Sequence, residues 1–386
     1  MDKFKDIRPY RDDEIRPVLN QLISDSDFLD SIARFYHPRM TDMMPGLMRA
    51  AASRKLRKQV RGVNDVRSMQ DVIAGYMDKM VHDTTTRLDN SGLESLDSSR
   101  HYLFISNHRD ITMDPAFVNY MLYHGGHDTL QIAIGDNLLK KPFVTDLMRL
   151  NKSFIVRRSL KGRQLLKSLA LLSEYIHHCI ETGQNVWIAQ REGRAKDGID
   201  RTDPALLKML AMGMRDLSFR EALNNLHIVP VSLSYEYDPC DVLKAEELYQ
   251  KDKSGSYEKT DDSDIHSIVT GMVGFKGRVH IAFGTEMAIS SDDPDRIAAD
   301  IDQQIINNYE VTDINYLALE RLGREGLVPP QQLAGIEMNR EISGDNRRKF
   351  DARLSAIESR LVPYVLFNYA NPLLSRYGMN SLRDDV

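Results

Sequence analysis

Cysteine is nearly absent from this chain: Cys179 and Cys240 are the only two in 386 residues. Two thiols cannot build a disulfide framework, so a reducing compartment is expected. Long apolar runs are missing as well. No stretch approaches the roughly 18 apolar residues that a membrane-spanning helix needs, so none is expected. The N-terminal stretch MDKFKDIRPYRDDE is charged and has no apolar centre, which argues against a secretory signal. The expected location is cytoplasmic, and any lipid substrate would be met peripherally, from the inner face of the membrane. Nor is there an excess of positive charge. Fifty-one Lys and Arg against 56 Asp and Glu give a net charge of -5, which excludes a chain built to coat nucleic acid. The remaining composition, 42% hydrophobic and 28% charged, is that of a folded globular protein.

The hydrophobic pattern changes twice along the chain. Residues 1–95 read as a helical N-terminal region, with apolar residues at helical spacing from Arg11 to Arg34 (Ile15, Val18, Leu19, Leu22, Ile23). Two more helices are expected, over Met40 to Arg61 and over Val66 to Leu88, with no strand among them. From residue 96 to 290 short apolar runs alternate with helical stretches. The runs are Tyr102 to Ile105, Leu130 to Ile134, Phe154 to Val156, Val186 to Ala189, Ile228 to Leu233 and Val279 to Phe283. That alternation predicts an α/β domain, a mainly parallel sheet flanked by helices. Ligands then bind beyond the carboxyl ends of the strands. Residues 244–270 read as polar surface, and 291–386 as a helical C-terminal extension.

Polar residues cluster just after these apolar runs. The first run leads into Asn107-His108-Arg109-Asp110, with Asp114 close behind. A histidine at a strand end can act as a general base near neutral pH, and a carboxylate on its other ring nitrogen would fix the tautomer. Asp114 and Asp110 are both candidates for that carboxylate. The third run ends in Arg157-Arg158. The fourth leads into Arg191-Glu192-Gly193-Arg194-Ala195-Lys196, and the fifth contains Pro230 between two valines. Arginines gathered on one edge suit a phosphate, which guanidinium binds bidentately.

These segments, spread over about residues 100–285, resemble the four ordered motifs of the phospholipid/glycerol acyltransferase family. That family contains the glycerol-3-phosphate and 1-acylglycerol-3-phosphate (lysophosphatidate) acyltransferases. Asn107-His108 with Asp114 resembles N-H-x-x-x-x-D, Phe154 to Arg158 resembles F-x-x-R-R, Glu192-Gly193-Arg194 resembles E-G-x-R, and Val229-Pro230-Val231 resembles V-P-V. Two departures stand out. Asp114 follows His108 after five residues where the family has four, which in a helix would rotate it by about 100°, and the third motif is compressed at Arg194 and Ala195.

The resemblance implies direct acyl transfer from acyl-CoA or acyl carrier protein, without a metal or organic cofactor, to a hydroxyl of a phosphorylated glycerol or lysolipid acceptor. It implies His108 as the base. Asn107, Arg157, Arg158, Glu192, Gly193, Arg194, Lys196 and Pro230 would be the substrate-binding residues. The displaced aspartate also keeps open a non-catalytic module that binds lipid or acyl thioester on the same fold. A metal-dependent phosphoester hydrolase using Asp110 is a third reading.

Other features have plainer explanations. His177, His178 and Cys179 are adjacent on a helix and cannot all face one metal. Gly271, Gly274 and Gly277 precede a strand and do not open a helix, so they are not a dinucleotide loop. Met40, Met43, Met44, Leu47 and Met48, followed by Arg49, Arg54, Lys55, Arg57, Lys58 and Arg61, combine an apolar stripe with a basic cluster suited to an anionic bilayer. Packing of that helix onto the main domain is the alternative. The same alternatives apply to the apolar segment from Tyr364 to Leu374.

Overall fold

The computed structural model describes residues 2–258, 263–338 and 340–379. In chain order the helices α1 (Asp12–Leu22), α2 (Ser26–Tyr36), α3 (Pro38–Met43), α4 (Pro45–Gln59) and α5 (Val66–Thr84) lead into strand β1 (Thr85–Ser91). Then follow β2 (Leu103–Ser106), α6 (Met113–His124), β3 (Gln131–Gly135), α7 (Pro142–Leu150), β4 (Ser153–Val156), α8 (Gly162–Glu181) and β5 (Val186–Ala189). The order continues through α9 (Pro204–Ala211), α10 (Phe219–Asn224), β6 (Ile228–Tyr235), α11 (Asp241–Ser254), α12 (Ser263–Val273) and β7 (Gly277–Phe283). Helices α13 (Pro294–Asn308), α14 (Asp313–Arg324), α15 (Pro330–Leu333), α16 (Gly344–Ser355) and α17 (Val362–Arg376) complete it. The fold is α/β with mainly parallel strands, as the alternation predicts.

The chain forms two compact units, one of residues 1–79 and 130–178, the other of 80–129 and 179–386. These limits differ from the division at 95 and 290 read from the sequence texture. The reason is that residues 130–178 are built into the N-terminal helices. In the first unit the Ile155 amide donates to Ile7 O (2.9 Å), Arg149 Nε donates to Arg8 O (2.9 Å), and the Tyr10 hydroxyl donates to Asp146 (2.6 Å). Its core joins Ile15, Leu19, Leu22, Phe28, Val63 and Leu150. The parallel pair β3–β4 lies in this unit.

Local chemistry explains how the N-terminal helices are cut. The stretch from Arg11 to Arg34 is two helices, because the Asp25 side chain accepts from the Phe28 amide (2.8 Å) and starts α2 afresh. Met40 to Arg61 is likewise divided, at Met44-Pro45, since proline is tolerated only in the first turn of α4. The expected helix from Val66 to Leu88 ends at Thr84, and β1 follows. This strand is polar and largely exposed, and it pairs in parallel with β7 at the sheet edge.

In the second unit the strands run in the order β1-β7-β6-β2-β5. All neighbours are parallel except β6–β7. Strand β2 is buried on both faces, its Leu103, Phe104 and Ile105 fully so. Pro230 pairs with Ile105 inside β6, and its carbonyl accepts from Gly284, one residue past the end of β7. Its missing N–H thus falls where that ladder ends, which is where a strand tolerates proline. A second core joins α14, α16 and α17 to Tyr237 and Ala245. Leu366, Phe367, Tyr369, Leu373 and Leu374 are buried in it, so this part of the C-terminal segment packs inside its own unit. The stretch 244–270 is less exposed than its polarity suggests: Lys244 is buried against Asp238, and Glu247 against Lys196. Residues 259–262 of that stretch lie outside the described residues.

Candidate functional site

The loop between β2 and α6 is the polar centre of the second unit. Residues 107–112 are neither helix nor strand, and α6 begins at Met113. His108 and Asp114 therefore do not share a helix, and the extra residue between them is absorbed by the loop. The His108 Nδ1 lies 2.8 Å from Asp114 Oδ2. That oxygen also accepts the Arg109 amide (2.5 Å) and the Asp110 amide (2.9 Å). An ionised carboxylate can only accept, so a neutral imidazole in this contact carries its hydrogen on Nδ1 and leaves the Nε2 lone pair available. Asp114 is wholly buried, whereas His108 retains partial exposure.

Asp110 plays another part. Its Oδ1 accepts from the Thr112 and Met113 amides (3.0 and 2.9 Å), which steadies the start of α6. Burial, reinforced by the charge of Asp114, pushes its carboxyl above the ordinary carboxylate range. Gly271 on α12 leaves room for it, because a Cβ there would stand 2.0 Å from Asp110 Oδ2.

Neighbouring strands fix the loop from both sides. Asn107 continues β2 with its side chain: Leu233 N donates to its Oδ1 (2.7 Å) and its Nδ2 donates to Leu233 O (3.0 Å). Its Nδ2 also reaches Asp200 Oδ2 (3.2 Å), the same oxygen that the Arg109 guanidinium meets. Both members of that pair are buried, and Arg109 further donates to Gly198 O and stacks over Tyr309. Burial pushes the Asp200 carboxyl above the ordinary carboxylate range, against the opposing pull of the Arg109 charge and the Asn107 bond. On β5, the Trp187 indole donates to Ser106 Oγ (3.0 Å) and packs edge-to-face with the His108 ring, centroids 5.8 Å apart. On β6, the Tyr235 hydroxyl donates to Asp114 Oδ1 (2.7 Å).

The loop after β5 is tied to the same centre. Gln190 N donates to Ser106 O and Ala195 N to His108 O, both at 2.8 Å. Gly193 sits at φ 77°, a left-handed conformation that favours glycine. Glu192 and Gly193 are exposed. Arg194 Nη2 reaches Ser267 Oγ (3.3 Å), while its buried Nη1 has no hydrogen-bond partner. Lys196 pairs with Glu247. The first unit holds Arg157, 3.6 Å from Asp6, and Arg158, whose amide donates to Asp136 (3.0 Å).

Sequence reasoning thus named His108, Asp114, Asp110, Asn107 and the 192–196 loop, but missed Arg109, Asp200, Trp187 and Tyr235. A buried ion pair and a tyrosine 121 residues from its partner leave no local signature. One group among the described residues has metal-ligand chemistry, Asp89, His280 and Glu310, with ligand atoms within 4.8 Å of one another. Arg278 already bonds both of its carboxylates, and Arg87 bonds Asp89, so their charge is offset.

With this geometry in hand, the acyltransferase family profile matches residues 87–234, from β1 through most of β6. Similar proteins include glycerol-3-phosphate acyltransferases of Pseudomonas. That of Pseudomonas putida (strain W619) is 25% identical over 239 residues, 62% of this chain and 26% of the relative. That of Pseudomonas syringae pv. syringae (strain B728a) is 24% identical over 311 residues, 78% of this chain and 36% of the relative. The chain thus spans about a quarter to a third of the curated relatives it matches. Among solved structures, the 1-acyl-sn-glycerophosphate (LPA) acyltransferase PlsC from Thermotoga maritima matches 75% of this chain and 94% of its own, at 12% identity and a TM-score of 0.39.

Proposed function

We propose that this protein transfers a fatty acyl group from acyl-CoA or acyl carrier protein to a hydroxyl of glycerol-3-phosphate or 1-acylglycerol-3-phosphate. The observation that carries this reading is the His108–Asp114 pair at the end of β2, in an acyltransferase domain. In the proposed reaction His108 Nε2 takes the proton of the acceptor hydroxyl, and the oxygen attacks the thioester carbonyl. The tetrahedral intermediate collapses with loss of the thiolate, which recovers the proton from His108. Asp114 stabilises the imidazolium in between. General base catalysis of this kind contributes roughly 10²–10⁴-fold, and holding both substrates in line adds more.

The unpartnered Nη1 of Arg194 supports an anionic acceptor, since a buried guanidinium nitrogen without a partner is costly unless a ligand completes it. Glycerol-3-phosphate is favoured by the names of the Pseudomonas relatives. Purified protein assayed with acyl-CoA and acyl carrier protein donors, each against glycerol-3-phosphate and 1-acylglycerol-3-phosphate, tests this assignment. Formation of an acyl ester on either acceptor is expected. Release of the thiol without any acceptor would point instead to a thioesterase.

Contact with an anionic membrane forms part of the same proposal. Met40, Met43, Met44 and Leu47 are exposed, Met43 at 79%, while Met48 is buried and anchors α4. The exposed cations Arg54, Lys55, Arg57 and Lys58 follow on the same helix. Among the described residues no helix is long and apolar enough to cross a membrane.

A further inference from the structure

We infer that Tyr235 is a positioning residue for the proposed base, holding the Asp114 carboxylate, and through it the His108 ring, and tempering the charge that Asp114 presents to the imidazole. This inference rests on the acyltransferase reading of His108.

The geometry is specific. Asp114 Oδ2 is filled by His108 Nδ1 and the Arg109 and Asp110 amides, which leaves Oδ1 as its free oxygen. Tyr235 supplies a donor to that oxygen, at 2.7 Å, from the last residue of β6. Asp114 is wholly buried and Tyr235 nearly so, which leaves little room for water to take over the bond. Aromatic contact with Phe117 of α6 (centroids 6.0 Å) holds the phenol ring in place. Burial, then the charges of Asp114 and Asp110, pushes the Tyr235 hydroxyl well above its ordinary value, so it remains a donor at any working pH.

The electrostatic consequence has a definite sign. A hydrogen bond donated to Oδ1 disperses the carboxylate charge, and a weaker charge holds the imidazolium less tightly. Removal of that hydrogen bond therefore strengthens the hold of Asp114 on the imidazolium. Several groups set this balance. The β2–α6 turn contributes Asp110 and Asp114, β6 contributes Tyr235, and the segment after β6 contributes Asp238. The indole of Trp187 on β5 packs against the His108 ring, and Arg194 from the loop after β5 acts on Asp110.

Tyr235→Phe removes only the hydroxyl and tests the inference. In the substrate-free protein, the NMR titration midpoint of the His108 ring is expected to move to higher pH in the variant. In acyl transfer, kcat at pH 7 falls roughly three- to tenfold, the acid limb of the pH–rate profile moves upward with the ring, and the rate recovers at alkaline pH. The acceptor KM stays unchanged. Replacement of Tyr235 by a fluorinated tyrosine, a stronger donor of nearly the same shape, moves the midpoint downward and serves if the phenylalanine variant folds poorly. An unmoved midpoint in a cooperatively folding variant, or a kcat lowered equally at every pH, would overturn the inference. Because the ring titration needs no substrate, it decides this question even if no acyl transfer is found.

Discussion

Asp110 and Asp114 stand four positions apart, yet they do different work. Asp114 meets the imidazole, and Asp110 meets the two amides before α6. Asp114→Asn keeps an acceptor for the backbone but loses the charge that stabilises the imidazolium, so kcat/KM is expected to drop by about 10²–10⁴-fold. Asp110→Asn keeps the acceptor for Thr112 and Met113 and removes a carboxyl that burial already disfavours as an anion. Its activity should stay within about threefold and its melting temperature should not fall, since the oxygen that accepts both amides remains. Steady-state kinetics and thermal melts of the two variants distinguish these roles. Equal loss in both would contradict the assignment. The sequence points to both aspartates and favours Asp114 only through its resemblance to the family motif. The choice depends on the path of residues 107–112, an irregular turn whose shape is set by Asn107 bonding Leu233 across the sheet.

Among the described residues, six of the seven strands are legible as apolar runs because they are buried: β2 and β6 have no exposed residue. Strand β1 carries Thr-Thr-Arg-Leu-Asp-Asn-Ser at the edge and has no apolar face to read. Side-chain ties between elements have consequences at this scale too. Asp302 on α13 accepts from the Thr202 amide (2.7 Å) and hydroxyl (2.6 Å), which fastens the segment before α9. Burial, against those two bonds, pushes its carboxyl from 3.8 up to about 6. The folded state therefore holds this proton more tightly than the unfolded chain does. Its contribution is greatest below about pH 4 and is lost as pH rises through about 6, on the order of 3 kcal/mol. Asp302→Asn retains an acceptor oxygen and removes this loss. Denaturant melts from pH 4 to pH 7 should show a flatter profile for the variant and higher stability at pH 7. Parallel profiles would contradict the assignment.

The α3–α4 turn makes the other prediction at this scale. Met43→Glu with Leu47→Glu is expected to weaken sedimentation with phosphatidylglycerol vesicles at least tenfold, through lost apolar insertion and added repulsion. Neutral vesicles should bind poorly in either case. Unchanged binding to anionic vesicles would place the contact elsewhere.

For the whole molecule, the alternation of strands and helices from β2 to β7 is readable in the sequence, and so are the polar segments that follow those strands. The grouping of elements into compact units is not. Residues 130–178 join the N-terminal helices through Ile7, Arg8 and Tyr10, contacts more than 130 residues apart in the chain that leave no periodic trace. The buried Arg109–Asp200 pair is equally silent, because charged residues in a loop ordinarily read as surface. The central claim is that His108 is the base of an acyl transfer. Its most direct test is acceptor-dependent thiol release from acyl-CoA by the native protein and by His108→Ala, each shown to be folded. The account predicts release that requires the phosphorylated glycerol acceptor and falls by at least about 10²-fold in the variant. Equal release by the two proteins would contradict it.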